Sequence, residues 1–142
     1  MITQSFFASI TRFFRLILKY DRILSAMQLI FGLGTDIVSI DRFRTLRFPE
    51  RAASFFLCKE ELVGVHASSD PATYLASRFA VKEAVIKSAP VKLSPLDFLV
   101  AKSGIKPTIL THESLPYSFL ISISHEDHYA TAVAICVNKM YE

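Results

Sequence analysis

The chain has 142 residues, 51% hydrophobic and 20% charged, enough for one globular domain with a real core, and it contains no low-complexity tract or internal repeat. Its formal charge of +3 resides in residues 1–26, where Arg12, Arg15, Lys19 and Arg22 face only Asp21; residues 27–142 are neutral, which argues against the broad basic face of a nucleic-acid binder. Cys58 and Cys136 are single and remote, without the spacing of a zinc site or a redox pair, so a reduced, cytoplasmic setting is expected.

Residues 6–24 carry an apolar stripe, Phe6, Ile10, Phe13, Ile17, Tyr20 and Leu24, and a basic stripe, Arg12, Arg15, Lys19 and Arg22, both stepping by three or four. That spacing predicts a basic amphipathic helix. No uncharged apolar window reaches the length of about 18 residues that a spanning helix needs, so membrane contact is expected only through residues 1–26. Three readings fit this appendage: a helix lying on an anionic surface, a targeting presequence, or an extension ahead of a start at Met27. The expected organisation is an N-terminal extension, 1–26, and one domain, 27–142.

From Leu29 the run LIFGLGTDIVSI predicts a strand with Gly32, Gly34 and Asp36 on one face, so two absent side chains leave a groove that ends at a carboxylate. Asp is depleted inside strands, and a charge taken from water needs a partner or a metal. Asp41-Arg42-Phe43-Arg44 continues as a polar-apolar segment. Pro49 to Val65 reads as a helix with Glu60 and Glu61 on its exposed side. Ser68-Ser69-Asp70-Pro71 is a loop, with Asp70 as helix cap and Pro71 at the first position.

A helix is predicted from about Ala72 to Ser88, ended by Pro90. Ala76, Ala80, Glu83 and Lys87 share one of its faces, because steps of four, three and four return to the same side. Leu96 to Ala101 and Pro107 to Leu110 read as short strands around Ser103-Gly104. Tyr117 to Ser124 and Tyr129 to Val137 read as a hairpin around His125-Glu126-Asp127-His128. The fold class is α+β: a small antiparallel-rich sheet packed against a long helix.

Asp36 and Glu83, with Arg78, Lys82 and Lys87 near them in sequence, suggest a divalent cation and a phosphate-bearing ligand. Taken alone, Glu83 and Lys87 are an ordinary surface pair worth about 0.2–0.5 kcal/mol. His66, His112, His125 and His128 lack the spacing of a zinc motif, no nucleophile elbow surrounds Ser122 or Ser124, and no P-loop or dinucleotide fingerprint is present. The combination points to an enzyme.

The segments GLGTDIV, LASRFAVKEAVIKS and SISHEDHYATA occur in this order from about Leu29 to Cys136. In these the chain resembles the short-type 4′-phosphopantetheinyl transferases, the holo-(acyl-carrier-protein) synthase family. The resemblance implies the phosphopantetheinyl transferase fold and transfer of the phosphopantetheine arm of coenzyme A to a serine of apo acyl carrier protein, releasing 3′,5′-ADP in support of fatty acid biosynthesis. It implies Mg²⁺ held by Asp36 and Glu83, Lys87 near the reacting phosphates, Arg78 and His125 at the coenzyme A nucleotide, Arg42 docking the acidic carrier protein, and a homotrimer. The serine proton needs a base, Glu83 or a metal-bound water. Three features differ from the family pattern: Ser39 stands where an acidic residue is common, residues 89–93 lack glycine, and Gly104-Ile105-Lys106-Pro107 holds one extra residue. Lys92 is expected to supplement the charge on the diphosphate. The rival readings are another Mg²⁺-dependent phosphate-ester enzyme and a membrane-surface module led by the basic helix.

Overall fold

The computed structural model describes residues 30–103, 105–111 and 115–139, together with Lys19. The rest of the amphipathic segment 6–24, the strand onset at Leu29, Gly104 and His112 lie outside the described residues.

Two antiparallel sheets and four helices make up this region. Strands β1 (Ile30–Ser39), β4 (Tyr117–His125) and β5 (Tyr129–Asn138) form one sheet in the order β1-β5-β4, and β2 (Phe98–Ser103) pairs with β3 (Lys106–Thr111). The helices are α1 (Asp41–Arg44), α2 (Pro49–Ala53), α3 (Lys59–Ala67) and α4 (Pro71–Ser88). Among the described residues no helix is long and apolar enough to cross a membrane.

Helix α4 starts where its sequence dictates. Pro71 occupies the first turn, and the Asp70 carboxylate accepts the Thr73 N–H at 3.1 Å. Its buried side, with Ala76, Ala80, Ala84 and Val85, packs on the sheet. The sheet face that it meets is equally small. The register sets Gly34 beside Ala134, Asp36 beside Ala132 and Val38 beside Ala130.

A Cβ on Gly34 would strike the Ala84 carbonyl oxygen, and one on Gly32 the Ser88 carbonyl oxygen. The groove read from the two glycines is therefore filled by the backbone of α4. Overpacking a close contact costs about 1–3 kcal/mol, so an added methyl at either glycine would push the helix away from β1.

A second cluster, Ala53, Phe56, Leu57, Val65 and Leu75, lies between α2, α3 and the outer side of α4. Phe56 meets Phe79 edge to face with ring centroids 5.1 Å apart, which joins this cluster to the main core.

The structure corrects the continuous helix expected over Pro49 to Val65. Cys58 is extended, and the Glu61 carboxylate accepts the Cys58 N–H at 3.0 Å, so α3 begins afresh at Lys59. This is the reach-back half of a capping box, disguised in sequence by a cysteine at the capping position. Glu61 is also not exposed: it is 3% accessible, whereas its neighbour Glu60 faces solvent.

The opposite face of the β1-β5-β4 sheet is open. Leu33 and Ile37 on β1, Val133 on β5 and Leu120 on β4 point outward and are all exposed.

Candidate active site

At the end of the glycine groove, β1 delivers Asp36 towards α4. Lys87 Nζ meets Asp36 Oδ1 at 2.7 Å and also donates to the Thr35 carbonyl at 3.2 Å. The Asp36 side chain is only 15% accessible and that of Lys87 49%, so the carboxylate is set into the surface while its cation approaches from solvent. Thr131 Oγ1 donates to the Asp36 carbonyl at 2.9 Å, pinning the strand at this point.

Glu83 lies half-buried one helical turn before Lys87. Among the described residues it makes no ion pair, so the surface pair with Lys87 does not form; Lys87 bonds Asp36 instead. The donor chemistry fits Mg²⁺. That ion takes one or two carboxylates and completes its shell with water and substrate phosphates, and the ammonium of Lys87 already occupies a cation position on Asp36. Among the described residues no cluster of three or more His, Cys, Asp or Glu offers a fuller protein cage.

A second region lies along the N-terminal half of α4. There an open cleft of about 1480 Å³ is bordered by α4, the β2-β3 hairpin, β4 and the turn after it, and its lining includes Arg78, His125, Lys102 and Lys106. Arg78 Nη1 donates to the Val100 carbonyl at 2.6 Å, and its guanidinium carbon lies 4.9 Å over the Tyr74 ring. Ser77 Oγ, on the same wall, is buried without a hydrogen-bond partner among the described residues. Asp36, Glu83 and Lys87 do not line this cleft. The structure thus brings Asp36 to Lys87, and sets Arg78 and His125 in the lining of one cleft that Asp36, Glu83 and Lys87 do not reach.

Arg42 is exposed on α1, beside a clasp that sequence reading missed. Arg44 Nη1 bonds Asp41 Oδ1 at 2.7 Å and the Asp127 carbonyl at 2.9 Å, and His128 Nδ1 lies 3.0 Å from Asp41 Oδ2. These contacts tie α1 to the turn that follows His125. The hydrogen bonds from Arg44 and then His128 hold the Asp41 carboxyl below the usual carboxylate range. Lys92 is exposed beyond the end of α4.

One sequence expectation fails here. Lys82, grouped with the phosphate-binding cations, is fully buried. Its Nζ pairs with Glu61 Oε2 at 2.8 Å and donates to the carbonyls of Pro95, at 2.8 Å, and Phe98. It does not line the cleft that holds Arg78. The signal for this lay in the Glu61 capping pattern, hidden by Cys58.

The sequence model of the 4′-phosphopantetheinyl transferase superfamily matches residues 32–134. The chain belongs to this superfamily. A curated relative, the holo-[acyl-carrier-protein] synthase of Chlamydia trachomatis serovar D, is 34% identical over 116 residues, covering 74% of this chain and 98% of its own. The enzyme of the same name from Leptospira biflexa is 32% identical over 120 residues, covering 73% and 94%.

Among solved structures, the Bacillus anthracis holo-(acyl-carrier-protein) synthase in complex with CoA (3′,5′-ADP) matches with a TM-score of 0.69 and 26% identity, covering 78% of this chain and 99% of that one. The Helicobacter pylori synthase in complex with coenzyme A gives a TM-score of 0.62 at 31% identity, covering 73% and 98%. The α+β transferase fold expected from sequence is the observed one. The chain is therefore a phosphopantetheinyl transferase of the holo-(acyl-carrier-protein) synthase type.

Proposed function

We propose that the enzyme transfers the 4′-phosphopantetheine arm of coenzyme A to a serine hydroxyl of apo acyl carrier protein, releases 3′,5′-ADP, and thereby serves fatty acid biosynthesis in the cytoplasm. The observation that carries this reading is the Asp36–Lys87 pair, seated where Gly32 and Gly34 let β1 pack closely on α4, in a fold whose solved relatives include synthases in complex with coenzyme A.

Attack on a diphosphate needs charge compensation on its non-bridging oxygens more than covalent help. Asp36 and Glu83 would hold Mg²⁺, which when bound supplies that compensation as a Lewis acid. Lys87, released from Asp36 as substrate arrives, offers a mobile ammonium to the phosphates. Glu83 has no ion-pair partner among the described residues and so keeps lone pairs for a metal or for the serine proton. Arg78 and His125 line a cleft of the size and polarity a nucleotide requires, and Arg42 presents positive charge on α1 to an acidic carrier protein.

Separation of the two residue groups within one chain supports a site completed by a neighbouring copy. The exposed sheet face is the surface for it: Leu33 is 63%, Ile37 68% and Leu120 60% accessible, too apolar a patch to leave in water. A homotrimer buries that face and sets one copy's Asp36 and Glu83 against the next copy's cleft.

The deciding experiment incubates the full chain with coenzyme A, Mg²⁺ and apo acyl carrier protein and weighs the carrier by mass spectrometry. A mass gain of one phosphopantetheine with release of 3′,5′-ADP is expected. An unmodified carrier alongside hydrolysis of another phosphate ester would replace this reading with its nearest rival.

A further inference from the structure

We propose that Glu61 is a positioning residue for coenzyme A binding, because it anchors both surfaces that grip the Arg78 guanidinium. The inference rests on the reading of Arg78 as a contact to the nucleotide. Glu61 is itself buried behind α4 and does not line the cleft.

The first surface is the Val100 carbonyl. Glu61 Oε1 accepts the Val100 N–H at 2.9 Å, while the carbonyl of the same residue takes Arg78 Nη1 at 2.6 Å. In a strand the N–H and C=O of one residue point to the same side, so both outward groups of Val100 are used, one by Glu61 and the other by Arg78. Fixing the N–H fixes the direction of the strand edge that Arg78 grips.

The second surface is the Tyr74 ring. The Tyr74 hydroxyl donates to the main-chain carbonyl of Glu61 at 2.8 Å, and Arg78 stacks over that ring. Gly64 makes the fit possible, since a Cβ there would collide with the Tyr74 hydroxyl. Side chain and main chain of one residue thus hold the two walls on which Arg78 rests.

The anchor is rigid. Glu61 Oε2 is held by the Cys58 N–H at 3.0 Å and by Lys82 Nζ at 2.8 Å, and that ammonium is pinned in turn by the Pro95 and Phe98 carbonyls. The carboxylate cannot rotate without breaking bonds to three partners in a buried site. A free arginine side chain carries rotamer entropy that a ligand must suppress. A guanidinium already resting on a carbonyl and a ring face keeps its other N–H donors for a phosphate and loses less freedom on binding.

The test uses the full chain and titrates coenzyme A calorimetrically, with carrier KM and thermal midpoint measured alongside. Arg78→Ala is expected to weaken coenzyme A binding by about 10–100-fold, as loss of a charged hydrogen bond does. The paired replacement Glu61→Leu with Lys82→Met removes both buried charges and is expected to fold. It should weaken coenzyme A binding about fivefold, leave the carrier KM unchanged, and add nothing further when Arg78→Ala is already present. Tyr74→Phe, which loses only the hydroxyl tether, should give a smaller effect that also vanishes in the Arg78→Ala background; it carries the test if the paired replacement does not fold. Glu61→Gln combined with Lys82→Met, which keeps an acceptor for the Val100 N–H without stranding a buried ammonium, should restore most of the affinity lost in the paired replacement. An unchanged affinity in Arg78→Ala defeats the reading of Arg78 as a ligand contact. Weakened binding in Arg78→Ala, together with either no effect or fully additive effects of the Glu61 and Tyr74 variants, defeats the positioning role alone.

Discussion

Helix α4 carries two lysine–carboxylate pairs of nearly equal length and opposite surroundings. Lys87 meets Asp36 at 2.7 Å and Lys82 meets Glu61 at 2.8 Å. In the first pair the lysine side chain is 49% accessible, and in the second both side chains are at 2% or less. The exposed lysine can leave its partner for a phosphate at little cost, since water solvates either state. The buried lysine cannot leave, because an uncompensated charge in that interior is severely unfavourable. Distance does not separate a pair free to exchange partners from one locked in the scaffold; accessibility and the number of remaining hydrogen-bond partners do.

The strongest way to test this contrast is to remove the carboxylates of the open site. Asp36→Ala and Glu83→Ala should each reduce phosphopantetheine transfer to the assay floor while the thermal midpoint stays near that of the parent. Mg²⁺-dependent turnover near the parental rate in either variant would break the metal assignment.

At the buried pair the order of effects reverses. Lys82→Met alone strands the Glu61 carboxylate and should cost about 3–5 kcal/mol in denaturant unfolding, whereas the paired replacement with Glu61→Leu should recover most of that stability. By the same measurement Lys87→Ala should cost at most about 1 kcal/mol, as an exposed pair does, while its transfer rate falls sharply. Equal stability losses at Lys82 and Lys87 would erase the distinction.

A smaller effect is expected at Arg42, exposed on α1. Arg42→Glu should raise the carrier KM and flatten its dependence on salt with little change in coenzyme A affinity, because rim charges act on encounter more than on the bound nucleotide. Steady-state kinetics at two ionic strengths check this, and equal loss for both substrates would refute it.

The smallest effects are at exposed carboxylates on the cleft side. Asp70→Ala should cost about 1 kcal/mol by removing the α4 cap. Both Asp70 and Asp41 have pKa values lowered in the folded state, Asp70 by its hydrogen bonds to Thr73 and Asp41 by those from Arg44 and His128. Their contribution is therefore fully present above the unfolded carboxylate value of 3.8 and is lost as pH falls through the lower folded values. An acid titration of stability should show a shallower loss over that window in the Asp41→Asn variant.

Much of the fold was legible from local pattern. The alternation of β1, the proline and aspartate that open α4, and the hairpin ending at His125 are short-range consequences of side-chain size and backbone preference, and the structure has them within a residue or two of expectation. The small-residue face of β1 read as an open groove, and the structure fills it with the backbone of α4, because glycines on a packed strand let backbone approach backbone. The motifs carried the family because three of them stand together, in one order, along the residues that the family model matches.

What the sequence could not decide was which charges meet. Lys82 and Lys87 stand five residues apart on one helix, and nothing local says that one turns into the core to meet Glu61 while the other reaches across to Asp36. That choice is made by the strands and helices packed on either side of α4, through contacts tens of residues away in sequence. The break after Ala53 was equally hidden, because a cysteine stands where a serine or threonine would have signalled the cap. Desolvation and long-range pairing are properties of the assembled molecule: the sequence determines which residues can carry charge, and only the tertiary structure decides which of those charges remains free to act.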